Sequence, residues 1–455
     1  SFPLITSSGA AVGLSEPVDS NLEVRRACFD SREIQPGDLY CALAGSRTSG
    51  ERFISAAIKA GAVAVLQAEP RERETTRLAA SGDGAHFPSL LVAGADKLFQ
   101  AAGEAAAILD GDPSRGLISV AVTGTNGKST VVHLLEQAWN QVGLHAGRVG
   151  TLGFKYLHEQ KDSLNTTPRA DLIQHWLADI RSRGANAAAI EASSHGIHQG
   201  RLAGCTFNAV GWTNLSHDHL DYHHDMEDYA RAKAELIHLL SADAIALVPH
   251  NDERILESVQ GANGSVLTWS MQDDRADLHA TFQSLPDAEG GGIHLKIGGR
   301  WGETSLRSTL LGRHNGENLL LAFGLLRSSG LSLEQSKFGL ESATAAPGRL
   351  QRVASQSPWA LFVDYAHTPE ALQRVLTALR TAFPGRRIGI VCGAGGDRDS
   401  DKRSPMGKAA AVGADWCMLT SDNPRTEDPN LILQQVVHGA ESAQRKGLCS
   451  ANHKI

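Results

Sequence analysis

No stretch of this chain approaches the roughly 18 consecutive apolar residues that suggest a membrane-spanning helix, and the longest candidates, such as residues 101–110, are broken by acidic side chains. Blocks of basic charge are missing too: 43 Lys and Arg face 50 Asp and Glu, a formal net charge of −7. Phosphate backbones are held mainly by clustered cations, which excludes nucleic acid as the main partner. Cysteine is sparse. Its six positions, Cys28, Cys41, Cys205, Cys392, Cys417 and Cys449, show no CxxC spacing, and a chain of this size does not depend on disulfides, so they read as buried thiols of a reducing cytoplasm. There is no repeat of fixed period, no low-complexity tract and no signal-peptide pattern. A soluble, cytoplasmic protein is expected, acting as a monomer.

What is present is ordinary globular composition, 42% apolar and 20% charged over 455 residues, enough for about three domains. Apolar runs of strand length alternate with helical patterns, at 117–122, 187–190, 245–248, 361–363, 388–392 and 416–419, which argues for α/β units and largely parallel sheets. The turn cluster Gly111-Asp112-Pro113-Ser114-Arg115-Gly116 closes a first domain (1–112), and Ala346-Pro347-Gly348 separates a second (113–345) from a third (346–455). Residues 287–299, with three successive glycines, read as hairpins added to the middle domain.

Thr123-Gly124-Thr125-Asn126-Gly127-Lys128-Ser129-Thr130 follows a buried-type strand and opens an amphipathic helix with Val132, Leu135, Ala138, Trp139 and Val142 on one face. Backbone N–H groups of such a loop, the helix dipole and the lysine converge on a polyphosphate, while the hydroxyl after the lysine can ligate Mg²⁺. Val122 stands where the strict spacing has glycine. A Gly-rich turn without a ligand is the plain alternative; a nucleoside triphosphate is the reading taken.

Asn214-Leu215-Ser216-His217-Asp218-His219-Leu220-Asp221-Tyr222-His223-His224 follows the strand at 209–213. Alone, His-x-His-x-Asp suggests a dinuclear zinc hydrolase, but Tyr222 stands where that pattern has its next histidine. His217, His223 and His224 read as solvated loop residues. His219, with Glu191 at the end of the strand at 187–190, is placed for a metal bridging nucleotide and substrate at the carboxyl edge of a parallel sheet. Lys233 lies on the next helix, where a surface lysine is the plain reading.

In order along the chain, Thr123 to Thr130, Glu191-Ala192-Ser193-Ser194-His195-Gly196, Asn214 to Tyr222, Lys233, Gly312-Arg313-His314-Asn315-Gly316-Glu317-Asn318 and Asp364-Tyr365-Ala366-His367-Thr368-Pro369 resemble the signature of the Mur ligases. These are ATP-dependent amide-forming enzymes of peptidoglycan synthesis. Asp30-Ser31-Arg32, Pro36-Gly37-Asp38-Leu39 and Gly45 look like the N-terminal domain that holds the UDP end of the substrate. Asp422-Asn423-Pro424-Arg425 resembles the amino-acid selector of the members that add meso-diaminopimelate to UDP-N-acetylmuramoyl-L-alanyl-D-glutamate; Arg425 and Arg398 would fork onto the carboxylate that distinguishes this diacid from lysine.

The resemblance implies an α/β fold of three domains, with a central P-loop-type ATPase domain on a mostly parallel sheet and a Rossmann-like C-terminal domain. It implies ATP and Mg²⁺ as cofactors, and an acyl phosphate as intermediate. Gly124, Thr125, Asn126, Gly127, Lys128, Ser129 and Thr130 would cradle the phosphates. Ser129, Glu191, His219 and a carbamylated Lys233 would hold metal, so that Lys128, Glu191, His219 and Lys233 form the catalytic set. Asn315, Arg349 and Asp364 match positions that hold the adenosine, and Ser31, Thr166, Thr167, Ser193, Gln199 and Arg201 match acceptor contacts. The loop Arg47-Thr48-Ser49-Gly50 stands where relatives have Asp-Gly, leaving uracil contacts at 45–50 open.

Relatives continue past Arg425 through another strand and a Gly-Lys-Gly-His-Glu segment. With the chain ending at Ile455, the third domain is expected to show a bare sheet edge with apolar surface, to unfold first, and to leave ligation weak. A lysine-adding Mur ligase, a folylpolyglutamate-synthase-like ligase and a substrate-binding form without turnover stay open as alternatives.

Overall fold

The structure is a computed structural model that describes residues 12–14, 22–45, 48–69, 89–92, 94, 97–218, 222–286, 291–353, 359–397 and 399–449. It divides into two compact units, Ser1–Trp269 with Gly324–Ser332, and Ser270–Phe323 with Leu333–Ile455.

The first unit opens with β1 (Val12–Leu14), β2 (Ala27–Cys28), β3 (Leu39–Cys41), α1 (Ile54–Ala60), β4 (Ala64–Ala68), β5 (Ser89–Val92) and α2 (Leu98–Leu109). Its sheet runs β1-β5-β4-β3-β2, parallel except at β1. Leu39, Cys41, Leu66 and Val92 bury one sheet face against Leu98, Ala101, Ala102 and Ala105 of α2, while Tyr40 and Val65 alternate to the other face, under Ile54 and Ala57 of α1. That alternation is the two-residue period of a strand used on both sides.

The same unit continues through β6 (Ile118–Thr123), α3 (Lys128–Gln141), β7 (Ala146–Gly150), β8 (Gly153–Tyr156), β9 (Glu159–Lys161), α4 (Ala170–Ser182), β10 (Ala187–Glu191), α5 (Ser194–His198), β11 (Phe207–Trp212), α6 (Met226–Ala234), β12 (Leu240–Pro249), α7 (Glu253–Ser258) and β13 (Ser265–Ser270). The order is β13-β12-β11-β6-β10-β7-β8-β9, parallel from β13 to β7 and antiparallel through β8 and β9. Every residue of β7 and β10 is buried, and all of β6 from Ser119 onward. A parallel sheet covered on both faces favours continuous apolar runs, which is why β6 and β10 stood out in the sequence, while β7, interrupted by Arg148, did not.

The second unit holds β14 (Leu278–Leu285), β15 (Gly292–Gly299) and β16 (Thr304–Ser308), an antiparallel meander at the predicted hairpins. Residues 287–290 of that prediction lie outside the described residues. Helix α8 (Arg313–Ser328) begins in this unit and is followed by α9 (Leu333–Glu341), β17 (Gln351–Val353), β18 (Leu361–Val363), α10 (Pro369–Ala382), β19 (Gly389–Cys392), α11 (Arg403–Gly413), β20 (Trp416–Leu419) and α12 (Pro429–Arg445). Among the described residues of this unit only β19 and β20 pair in parallel; β18, expected in the same sheet, pairs antiparallel with β17. The reason is local. Leu350 takes a left-handed turn (φ 47°) ahead of β17, and Asp364 at the end of β18 accepts its N–H at 2.6 Å, closing the two short strands on each other. Among the described residues, no helix is long and apolar enough to cross a membrane.

Candidate functional site

Strand β6 lies between β10 and β11, with Glu191 in register with Val122 and Trp212 with Thr123. The Gly-rich loop, Glu191 and the loop after β11 therefore leave the sheet at one carboxyl edge, the place where open α/β sheets bind ligands. Gly124 makes the turn at φ +133°, and a Cβ there would sit 1.9 Å from the Thr213 hydroxyl oxygen. Only glycine fits. The loop after β11 grips it: Thr125 N–H donates to the Asn214 carbonyl, Asn126 N–H to Asn214 Oδ1 at 3.0 Å, and Asn214 Nδ2 back to the Asn126 carbonyl at 3.1 Å.

Two lysines meet at this loop. Lys128 donates through Nζ to the carbonyls of Gly124 and Thr125 at 2.8 and 2.9 Å, and Lys233 Nζ donates to the same Gly124 carbonyl at 3.0 Å. Lys233 is 1% exposed and lies 4.4 Å from the ring centroid of Tyr229, so the surface-lysine reading is wrong. Burial drives its pKa well below the ordinary value, and the charge of Lys128 pushes the same way, with Asp218 opposing. Helix α6 buries the Tyr229, Ala230, Lys233 and Ala234 stripe, and Lys233 is carried inward on it.

Glu191 is buried at the end of β10. Ser129 Oγ donates to its Oε2 at 3.0 Å, Thr151 N–H to Oε1 at 3.0 Å and the Thr151 hydroxyl to Oε2 at 3.2 Å. Burial pushes its pKa up, against the Lys128 charge and these donors. Such a carboxylate, held by neutral donors beside a serine hydroxyl, suits a divalent cation whose other ligands are phosphate oxygens and water. Among the described residues no group of three or more His, Cys, Asp or Glu side chains is placed to hold a metal, and His219 lies outside them.

The expected acceptor residues also come together. Thr167 Oγ1 donates to the Glu191 carbonyl at 2.8 Å and lies 3.0 Å from Ser193 Oγ; Thr166 Oγ1 is 3.0 Å from Thr151 Oγ1. Arg201 donates to the Thr167 carbonyl at 2.8 Å and to Gln199 Oε1 at 2.6 Å. Burial lowers the Arg201 pKa. Gln199 in turn donates to the Tyr222 hydroxyl at 3.3 Å, which also meets His198 Nδ1 at 2.9 Å, while the Tyr222 ring stacks on His195 at 4.0 Å. His217 and His224 are exposed as expected, but His223 is buried, within 5.1 Å of the Tyr229 ring. Ser31 sits in the N-terminal loop between Asp30 and Arg32.

In the second unit, Asp364 accepts N–H bonds from Leu350 and Ala366 at 2.6 and 2.8 Å, and Arg349 lies over the Tyr365 ring at 5.1 Å. Asn315 is buried and turned into its own helix, donating to the Leu311 carbonyl and accepting from Asn318. The loop at 422–426, expected to be the amino-acid selector, is locked to the loop after β19. Arg425, at φ 50°, donates to the Gly396 carbonyl, Gly396 N–H to the Asn423 carbonyl, and Thr426 to the Asp397 carboxylate at 2.7 Å through its hydroxyl. Asp422 accepts from the Asn423 N–H at 2.8 Å, and Pro424 completes the turn. Beneath, Arg403, 2% exposed, forks onto Glu427 at 2.7 and 2.9 Å, and Glu427 accepts the Asp397 N–H. Arg398, and residues 46 and 47 of the expected uracil loop, lie outside the described residues.

Sequence reasoning missed Thr151, Tyr229, Arg403 and Glu427. Thr151 sits in the β7–β8 turn, 40 positions from the carboxylate it holds, and no local pattern marks such a partner. Arg403 and Glu427 look like surface charges on a helix and a loop until the fold buries the guanidinium.

Three family models match the chain: the Mur ligase family, catalytic domain, at residues 24–93; the Mur ligase middle domain at 122–326; and the Mur ligase, glutamate ligase domain at 348–452. The chain is 38% identical over 438 residues, 96% of its length and 83% of the relative's, to the UDP-N-acetylmuramoyl-L-alanyl-D-glutamate--2,6-diaminopimelate ligase of Streptomyces avermitilis. It is 38% identical over 430 residues to the enzyme of the same name from Pseudomonas aeruginosa, covering 94% of this chain and 85% of that one. A solved structure of a ligase of that name superposes with a TM-score of 0.70 at 31% identity, over 96% of this chain and 87% of its own.

Proposed function

Because the chain belongs to the Mur ligase family, we propose that it is an ATP-dependent amide ligase that adds meso-diaminopimelate to UDP-N-acetylmuramoyl-L-alanyl-D-glutamate in peptidoglycan synthesis. The observation that carries this reading at the level of residues is the meeting of Lys128 and Lys233 at the Gly124 carbonyl, beside the Ser129–Glu191 pair and at the edge where Thr166, Thr167, Ser193 and Arg201 gather. Phosphate-binding and acceptor-binding groups share one sheet edge.

A carboxylate does not acylate an amine at neutral pH, because its oxygen is a poor leaving group. One of the two free carboxylates of D-glutamate attacks the γ-phosphorus of ATP, ADP leaves, and an acyl phosphate forms; an amine of diaminopimelate then attacks the acyl carbon, and the tetrahedral intermediate expels phosphate as the amine's proton is lost. Phosphoryl transfer of this kind asks the protein for position and charge neutralisation. Lys128 meets the β and γ phosphates with the loop N–H groups and the α3 N-terminus. Arg201, Thr166, Thr167, Ser193 and Gln199 hold the acceptor, and Ser31 its uridine end. Asp364, Arg349 and Asn315 belong to the adenosine side.

Ser129 and Glu191 would hold Mg²⁺, which supplies neutralisation of the phosphate charge when bound. His219 is assigned by the sequence to a second Mg²⁺. Burial lowers the pKa of Lys233 and so favours the neutral amine that adds carbon dioxide: its nitrogen lone pair forms the N–C bond as one C=O π bond breaks, a proton leaves, and a carbamate anion stands where an ammonium would. The nucleotide-linked substrates place the reaction in the cytoplasm.

Arg425 and Arg398 would read the carboxylate that diaminopimelate has and lysine lacks. The test is a ligation assay that follows ADP release and product mass with each amino acid. One ADP per amide is expected, and Arg425→Ala should lower the preference for diaminopimelate over lysine about 10- to 100-fold, the worth of a charged bidentate hydrogen bond. Equal preference in the two proteins would refute the selector assignment, and ADP release without amide would refute ligation.

A further inference from the structure

Outside the groups assigned above, the acceptor edge carries Arg169, a charged residue with several partners, two positions after Thr167 and at the start of α4. Its guanidinium reaches in two directions. Within its own domain it meets Asp171 through Nε at 3.1 Å and Nη2 at 3.2 Å. Across to the N-terminal domain it meets Glu33 at 2.8 Å and Asp30 at 3.5 Å. Asp171, 6% exposed in the first turn of α4, accepts the N–H of Phe29 at 2.9 Å. Five groups, the Phe29 N–H, Asp30, Glu33, Arg169 and Asp171, thus form one joint between domains that the sequence separates by about 140 positions.

The joint sits between two stretches that would touch the same ligand. On one side is Ser31, in a loop stiffened by Arg32, which forks onto Asp30 at 2.6 and 2.9 Å and donates its N–H to the same carboxylate at 3.0 Å. On the other are Thr166 and Thr167, tied to Thr151, Glu191 and Ser193. A ligand that binds at both ends gains from the second contact only if the two subsites are held at the spacing that its own length requires. Loss of that spacing weakens the two-ended ligand and leaves a one-ended ligand untouched.

We infer that Arg169 and Asp171 are positioning residues that fix the distance between the uridine subsite and the peptide subsite of the acceptor. They touch neither the reacting atoms nor ATP. The inference rests on the acceptor assignments of Ser31, Thr166 and Thr167 given above, and adds to them a device that no motif residue supplies.

The experiment is steady-state ligation by the full chain, as wild type, Arg169→Ala, Arg169→Lys and Asp171→Asn, with two acceptors: UDP-N-acetylmuramoyl-L-alanyl-D-glutamate, and the 1-phospho-N-acetylmuramoyl dipeptide, which lacks uridine. For Arg169→Ala and Asp171→Asn the KM of the uridine-bearing acceptor should rise about tenfold, with kcat and the KM of ATP unchanged and the KM of the uridine-free acceptor unmoved. Arg169→Lys, which keeps charge but loses the fork, should fall between. An equal rise of KM for both acceptors would mean a merely structural role and overturn the inference, as would no rise for either. Wild type that treats both acceptors alike would instead overturn the two-ended acceptor site itself, and the inference with it.

Discussion

Lys233 and His314 show what burial does to a single titratable group. The fold removes water from Lys233 and places Lys128 nearby, and both push its pKa down; the neutral amine is the form that adds carbon dioxide. Lys233→Ala should abolish ligation, and short carboxylates in the buffer should restore part of it by standing in for the carbamate; unchanged rates in that variant would reduce the lysine to a packing residue. His314, at the start of α8, is pushed down to about 4 by burial and by the charge of Arg374. Between the ordinary imidazole value of about 6.5 and that lower one, the unfolded chain binds a proton that the folded chain refuses, so stability falls as pH drops through this window and levels off below it. The loss attributable to this histidine is at most about 3 kcal/mol. Denaturant unfolding of the second unit, followed from pH 7 to pH 4, should show the decline, and His314→Gln should flatten it.

At the scale of elements, the site depends on how closely two parallel strands and a turn approach. Gly150, the last residue of β7, faces Glu191 so tightly that a Cβ built on it would lie 2.1 Å from Oε1 and 2.3 Å from Cδ. Gly150→Ala should therefore displace the carboxylate and break its bonds to Ser129 and Thr151. Misplacing such a group by about 1 Å costs about 100-fold in rate, and the melting temperature of the first unit should move far less than the activity. Activity within a factor of two of wild type would show that Glu191 is not where the chemistry is held. The loop that carries Arg425 depends on a similar close fit, since the Arg403–Glu427 pair supports both of the backbone segments that carry Arg425 and Asp397.

At the scale of the whole molecule, the two units differ in how completely their sheets are covered. The strands that carry the phosphate loop and Glu191 are buried on both faces. In the second unit Leu361, Val363, Val391, Trp416 and Met418, all on β18, β19 and β20, are between 37% and 60% exposed. Strands with little apolar cover open at low free-energy cost. Backbone amides of β17 to β20 should accordingly exchange with deuterium well before those of β6, β10 and β11, as read by mass spectrometry; equal protection would show that these faces are covered in solution.

Alone, the sequence determined the α/β class, the Gly-rich turn from strand to helix and the order of the family's motifs, because these are contiguous: such a turn works through its own backbone, and its residues must be neighbours in the chain. It also placed β6, β10 and β11 to within about two residues, since strands buried on both faces leave unbroken apolar runs. Only the tertiary structure decided what depends on parts far apart in the chain: that Lys233 is buried against Gly124 and not solvated, that Thr151 rather than a neighbouring residue braces Glu191, that β18 turns back on β17, and that Arg169 ties two domains together. Burial and long-range hydrogen bonding are properties of the packed chain, and the local pattern around a lysine on a short helix or a threonine in a hairpin turn is the same whether or not another segment closes over it.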